Sequence, residues 1–254
     1  MGGPDLAAIQ AAAVLLRRSQ HAVAFTGAGI STPSGIPDFR SPGSGMWTRA
    51  DPMRACSLTA FRRRPEAFFN WLRPLAKRIG QAEPNPAHLA LAQLEKHGLL
   101  QAVITQNIDG LHQRAGSREV IELHGTTATY TCTFCRQVVK AETVKEDFLD
   151  KDQLPSCPHC RHLLKPDFVM FEESLPVNAW NKAEAHIHRA DLVLVIGTAL
   201  EVYPASMLPA QALEHGAKIV INTLSSTYLD DQAELLLRKD AAVCMAALVE
   251  ELGL

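Results

Sequence analysis

The sequence predicts an α/β protein built on a parallel sheet, and three observations carry that prediction. Short Val/Ile-rich runs recur at His21–Phe25, Leu100–Thr105, Asp191–Ile196, Lys218–Asn222 and Ala241–Met245. Each is too short for a helix and reads as a buried strand. Helix-patterned segments lie between them, several opening on Pro, a residue suited to a helix's first turn. Strands that alternate with helices in this way form a parallel sheet with helices on its faces.

Taken in order, Asp5–Gln20 is rich in Ala and Leu and carries Arg17 and Arg18 near its end, where cations favour a helix C-terminus. The first apolar run stops at Thr26-Gly27-Ala28-Gly29-Ile30-Ser31. Pro37–Met53, dense in Pro, Gly and Ser, reads as a long functional loop. Helical patterns follow at Pro65–Ile79 and Pro86–His97, and later at Pro176–His188, Pro204–His215 and Ala246–Leu252. The stretch Thr126–Lys165 breaks the rhythm: it holds two CxxC pairs and one helical pattern near Glu142–Leu149, as a small inserted module would. The expected division is 1–125 with 169–254 as the main domain and 126–168 as the insert.

Composition narrows the function classes. The 254 residues are 47% hydrophobic and 20% charged, as in a globular chain, and the formal net charge is -2. That balance argues against direct nucleic-acid binding, which rests on a basic surface. No apolar run approaches the roughly 20 residues that span a bilayer. The N-terminus MGGPDL lacks a signal-peptide layout, and Leu6 stands where a myristoylation signal wants Ser or Thr. The expectation is a cytoplasmic protein without membrane attachment. Cys56 and Cys244 stand alone and read as small buried hydrophobes.

The paired knuckles Cys132-x2-Cys135 and Cys157-x2-Cys160, 21 residues apart, suit a tetrahedral thiolate zinc site. Four ligands leave no open position, so one such zinc would be structural. His159 and His162 are alternative ligands nearby, and a redox disulfide is the competing reading. Gly27-Ala28-Gly29 after a strand permits close backbone approach to a phosphate, but equally a plain turn. Thr32 occupies the third glycine position of the usual dinucleotide fingerprint, and no acid ends a second strand about 20 residues on. Asp38-Phe39-Arg40 offers an aromatic cover beside charged groups for a flat ligand. Gln106-Asn107-Ile108-Asp109 follows a strand end, where α/β sheets bind ligands, though Asn-x-Asp-Gly is also ordinary turn chemistry and leaves only Gln106 unexplained. Gly197-Thr198-Ala199 and Asn222-Thr223 end two more strands, and together these ends make an extended crevice. His124 stands beside this region as a candidate general base, against a structural reading that suits any of the ten histidines.

Taken together, GAGIS, GIPDFR, TQNID, HG, the paired CxxC, KPDFVMF, GTALEV and IN closely resemble the sirtuins in type and order. The resemblance covers nearly the whole chain. It implies a Rossmann-like domain, a small zinc module and a helical module near 41–85, with NAD and acyl-lysine meeting between them. It places Gly27, Ala28, Gly29, Thr32, Phe39 and Arg40 in the cofactor loop, and Asp38 and Ile108 toward nicotinamide. Gln106, Asn107 and Asp109 lie near its ribose, with Asn107 in the catalytic set, and Gly197, Thr198, Ala199 and Asn222 hold the adenosine half. His124 becomes the base acting on ribose hydroxyls, with NAD consumed and O-acyl-ADP-ribose formed. Phe168, Val169, Met170 and Phe171 become the edge on which a substrate peptide lies as an added strand.

The sequence departs from the family pattern at Met170, at Glu172 in place of a usual glycine, and at Ala199, where Ser is frequent. On the helical module, sirtuins that prefer acidic acyl groups resemble one another in a Tyr-x-x-Arg pair. Leu72 and Leu75 fall at those positions here, with Arg73 between them on another face. Two rival readings remain at this level. One is an NAD-consuming ADP-ribosyltransferase or NAD hydrolase; the other is a zinc-knuckle module for nucleic acid or protein, with Arg62–Arg64 as its basic run.

Overall fold

The computed structural model describes residues 5–38, 45–48 and 51–254. Helix α1 (Leu6–Arg18) is capped by the Asp5 carboxylate, which accepts from the Ala7 and Ala8 N–H groups. Then come β1 (Ala22–Thr26), the 3₁₀ turn Ala28–Ser34, and the helices α2 (Pro52–Cys56), α3 (Leu58–Arg63), α4 (Pro65–Gln81) and α5 (Pro86–Lys96). β2 (Ala102–Thr105), α6 (Leu111–Ala115) and β3 (Val120–Glu122) complete the first half. β4 (Gly125–Cys132), β5 (Val138–Lys140), α7 (Ala141–Lys145) with a π-turn over Glu146–Asp150, and β6 (Leu164–Phe168) follow. The chain ends with α8 (Val177–Ile187), β7 (Leu192–Ile196), α9 (Leu208–Glu214), β8 (Lys218–Asn222), β9 (Leu235–Leu237) and α10 (Ala241–Leu252).

The main sheet is parallel, in the order β3-β2-β1-β7-β8-β9. Strands β1, β2 and β7 are buried along their whole length, which explains their continuous apolar runs. One face packs on α1, α5 and α10, and the other on α8 and α9. The chain winds outward from β1 toward β3, then returns to β7 on the other side. The carboxyl ends of β1 and β7 therefore flank a topological switch point, where such sheets open a crevice.

One expectation changes. Ala241–Met245, expected as a strand, is the start of α10: Asp240 caps it by accepting from the Ala242 and Val243 N–H groups, and the Ala-rich apolar run continues to Leu252 without a break. The sheet's edges are instead β3 and β9, three residues each, too short to show alternation.

In the second sheet, β5-β4-β6, all strands are antiparallel. Its two CxxC knuckles share one turn geometry, with Arg136 and Arg161 after the second Cys at φ 62° and 64°. The four sulfurs lie within 4.8 Å of one another, at 3.4 Å for Cys132–Cys160, 3.7 Å for Cys135–Cys157 and 3.5 Å for Cys135–Cys160. A tetrahedral zinc with Zn–S near 2.3 Å needs about 3.8 Å between sulfurs, whereas a disulfide needs about 2.05 Å. The residues fit zinc and not a redox bridge. His162 is used elsewhere, contacting the Cys160 carbonyl and stacking on Phe134 at 4.2 Å.

This module and the α2–α4 helices share one core. Phe61, Phe68, Phe69 and Leu72 pack with Tyr130, Val139, Val144, Phe148, Leu164 and Phe168. Phe69 meets Phe148 edge-on at 5.5 Å. Arg73 donates from Nε to the Phe148 carbonyl at 2.7 Å and pairs with Asp152 at 3.2 Å.

Candidate active site

The two central strands end in glycine turns that lock into each other. Gly27 N–H donates to the Ile196 carbonyl at 3.0 Å, Gly29 N–H to Gly197 at 2.8 Å, and Gly197 N–H to Asn222 at 2.9 Å. A Cβ on Gly29 would stand 2.8 Å from the Gly197 oxygen. Gly197, at φ +65°, would place one 2.2 Å from the Ile30 nitrogen. The glycines are thus required for turn-to-turn contact, and they keep bare backbone at the floor of the crevice.

Above them opens a cleft of about 1040 Å³, lined by Gly27, Ala28, Gly29, Thr32, Asp38, Gln106, Asn107, Ile108, Asp109, His124, Gly197, Thr198 and Ala199. This volume can hold a dinucleotide and lies at the upper end of the range of about 300–1,000 Å³ for small-molecule pockets. Phe39 and Arg40 lie outside the described residues. Asn222 does not line the cleft: its Nδ2 donates to the Leu237 and Lys239 carbonyls, and its neighbours Thr223, Leu224 and Ser225 face the cleft instead.

Gln106, which turn chemistry left unexplained, donates from Nε2 to Thr198 Oγ1 at 3.2 Å and so ties the β2 end to the β7 end. Asn107 donates from Nδ2 to the Gly27 carbonyl at 3.2 Å and to Ser31 Oγ at 3.1 Å. Ser31 in turn donates to Asp109 at 2.7 Å, while the other Asp109 oxygen accepts from Leu111 N–H at 2.9 Å. Burial raises the Asp109 pKa, opposed by these two donors. Asp109 does make the turn its sequence suggests, and Asn107 and Ser31 weld that turn to the first glycine loop. Ser31 is not singled out by the sequence, although its place two residues after Gly29 is the available signal.

His124 sits half-buried between β3 and β4, its Nδ1 2.9 Å from the Gln106 carbonyl. A carbonyl only accepts, so Nδ1 carries the proton and Nε2 is the basic nitrogen. The segment after β6 is fastened on both sides. Val169 N–H donates to the His124 carbonyl at 2.8 Å, Phe171 N–H to Cys56 at 3.0 Å, and Leu58 N–H to the Phe171 carbonyl at 3.0 Å. Phe168 and Met170 turn their side chains into the core, while all of Phe168–Phe171 contribute to the cleft wall.

Beneath the site lies a buried pair the sequence did not flag. His88 and His112 have ring centroids 4.9 Å apart. His88 contacts Ser31 Oγ at 3.4 Å, and His112 Nε2 contacts Thr26 Oγ1 at 3.0 Å. Burial lowers both pKa values, to about 4 for His88 and about 3 for His112, where the neighbouring His88 adds to the effect. Both are neutral in the folded state and take protons below about pH 6.5 once unfolded, so stability is full above that pH and falls as pH drops toward 4. Each is expected to cost about 2 kcal/mol by pH 5. Urea midpoints measured from pH 7 to 4.5 check this; the decline should be smaller in His88→Gln, and an unchanged slope in that variant counts against it.

The match to known proteins is extensive. The model of the Sir2 family covers residues 27–204. An NAD-dependent protein deacetylase of Caldivirga maquilingensis is 43% identical over 94% of this chain and 92% of its own. A solved Sir2 enzyme bound to a propionylated peptide superposes with TM-score 0.87 at 41% identity, covering 96% of this chain and 98% of that one. A Sir2 complex with a peptide and NAD gives 0.85 at 42% identity, over 94% and 96%. With the glycine cradle, the four-sulfur cluster and His124 in the family's order along the chain, the protein belongs to the Sir2 family.

Proposed function

We infer that the protein is an NAD-dependent protein-lysine deacylase, transferring the acyl group to ADP-ribose with release of nicotinamide. The observation that carries this is one continuous cleft: a glycine-floored half lies at the sheet's switch point, and His124 adjoins a strand segment at the other half. NAD, when bound, supplies a ribose carbon that nicotinamide leaves and a ribose hydroxyl that receives the acyl group. Gly27–Thr32 and Gly197–Ala199 seat the nucleotide, with Asp38 and Ile108 at its nicotinamide end. Gln106, Asn107 and Asp109 hold the β2 loop rigid against them. His124 accepts the hydroxyl proton at Nε2, and its Nδ1–H bond to Gln106 stabilises the resulting imidazolium. Phe168–Phe171 offers the edge along which an acyl-lysine peptide lies. Four thiols gathered as metal ligands suit a reducing compartment such as the cytoplasm. No helix among the described residues is long and apolar enough to cross a membrane.

The acyl end of the cleft is walled by Ile36, Trp71, Leu75, Ile79, Ile108 and Phe168. The cleft face of α4 is thus Trp71, Leu75 and Ile79: Leu75 lines it as expected, while Leu72 packs into the core. Arg73 is committed to Phe148 and Asp152. Among the described lining residues the one cation is Lys239, after β9. A carboxylate on the acyl chain would lose its hydration here without a charge partner. Nicotinamide release is therefore expected to depend on acylated peptide and to be efficient with acetyl, butyryl and myristoyl-lysine. Succinyl-lysine on the same scaffold should be poorer by about tenfold or more in kcat/KM. Release independent of acyl peptide would favour a hydrolase or ADP-ribosyltransferase, and a succinyl preference would overturn the pocket assignment.

A further inference from the structure

Glu172 holds its backbone at φ +73°, a left-handed conformation that glycine adopts freely and a β-carbon makes costly. Of the four other described non-glycine residues with positive φ, Arg136 and Arg161 serve the metal knuckles, and Asp152 and Leu200 lie elsewhere. Glu172 serves no such site. Its carboxylate instead reaches across to the helical segment and accepts from Thr59 N–H at 2.8 Å. That N–H belongs to the first turn of α3 and has no partner within the helix. The Thr59 contacts, with Arg62 and Arg63 adding their charge, hold the Glu172 carboxyl below the usual glutamate range.

Directly before it, Phe171 is bonded on both backbone groups to the same segment, donating to Cys56 and accepting from Leu58. Glu172 also lines the cleft. A strained residue that persists where its side chain makes a bond across a cleft wall is over-determined by that bond, which is the pattern of a pre-organised site.

We propose that Glu172 is a positioning residue for the acyl-lysine peptide: its bond to Thr59 straps the Phe168–Phe171 edge to the helical segment, so that the edge is already set when the peptide arrives. The inference rests on reading Phe168–Phe171 as the peptide's edge. Ordering this loop in advance removes its entropic cost from peptide binding and leaves the nucleotide half of the cleft untouched. The strap therefore acts on peptide affinity and not on the chemical step.

The test compares E172A, E172Q and E172G with the parent enzyme on an acetyl-lysine peptide, with and without N-methylation of the backbone amides flanking the acetyl-lysine. E172A is expected to raise the peptide KM roughly three- to tenfold, with kcat and the NAD KM within about twofold. E172Q, whose amide oxygen still accepts from Thr59, should recover most of the loss. E172G should raise the peptide KM at least as much as E172A while its Tm is no lower, because glycine relieves the backbone. N-methylation should weaken the peptide in every variant. An unchanged peptide KM in E172A, with the N-methyl penalty intact, overturns the role of Glu172 alone. A rise in the NAD KM in parallel with the peptide KM marks general loosening and also overturns it. Absence of any N-methyl penalty overturns the peptide edge and the strap together.

Discussion

His124→Ala is expected to lower deacylation by about 10²–10⁴-fold, the range for a positioned general base, while the protein stays folded. The imidazole is half-buried and its bond to the Gln106 carbonyl is a neutral hydrogen bond, worth about 1 kcal/mol net. The backbone bond from Val169 N–H to the His124 carbonyl survives truncation to Ala, so the strand segment beside the cleft keeps its anchor. The glycine cradle is held by backbone bonds of Gly27, Gly29 and Gly197 to Ile196, Gly197 and Asn222, in which His124 takes no part, so NAD affinity should change little. Steady-state kcat with acetyl-lysine peptide, read beside the thermal midpoint and NAD binding, separates loss of chemistry from loss of structure. A variant that deacylates at near-parent rates would remove His124 from the mechanism.

Cys157→Ser is expected to release the metal and unfold the module around it, with deacylation lost as a consequence. Apparent zinc-binding free energies of about 10–16 kcal/mol in small closed thiolate sites rival the whole stability of a domain, about 5–15 kcal/mol. At the knuckle end the small sheet is thin: β5 is three residues long and Val138 on it is exposed. The damage should spread, because Tyr130, Phe148 and Leu164 pack in the same core as Phe68, Phe69 and Met170. Metal content per chain, the thermal midpoint and activity should fall together, and chelation of the parent protein should reproduce the variant. A folded, metal-free and fully active protein would show that the cysteines do something else.

Local chemistry was legible wherever it was confined to a few adjacent residues. The four zinc ligands, the glycine turns and the buried strands β1, β2, β7 and β8 follow from spacing and side-chain type alone. The run Ala241–Met245 misled because five apolar residues fit a buried strand and a helix equally well. What decides is the Asp240 cap before it and the continued run after it. The short edge strands carry too few residues for any period to register. Leu75 lines the cleft as expected but Leu72 does not, because which of two adjacent faces a helix turns to a cleft is set by its packing partner.

The sequence by itself determined the four inner strands, the metal site and the ordered set of motifs that marks the family, since each depends on near neighbours in the chain. Only the tertiary structure decided how distant segments meet. Ser31 closes a bridge between Asn107 and Asp109, and Arg73 is drawn away from the acyl pocket by Phe148. Glu172 reaches Thr59 across more than a hundred residues of chain. Such contacts are set by packing between elements, where hydrogen-bond reach and volume select the partner, and no local pattern encodes them.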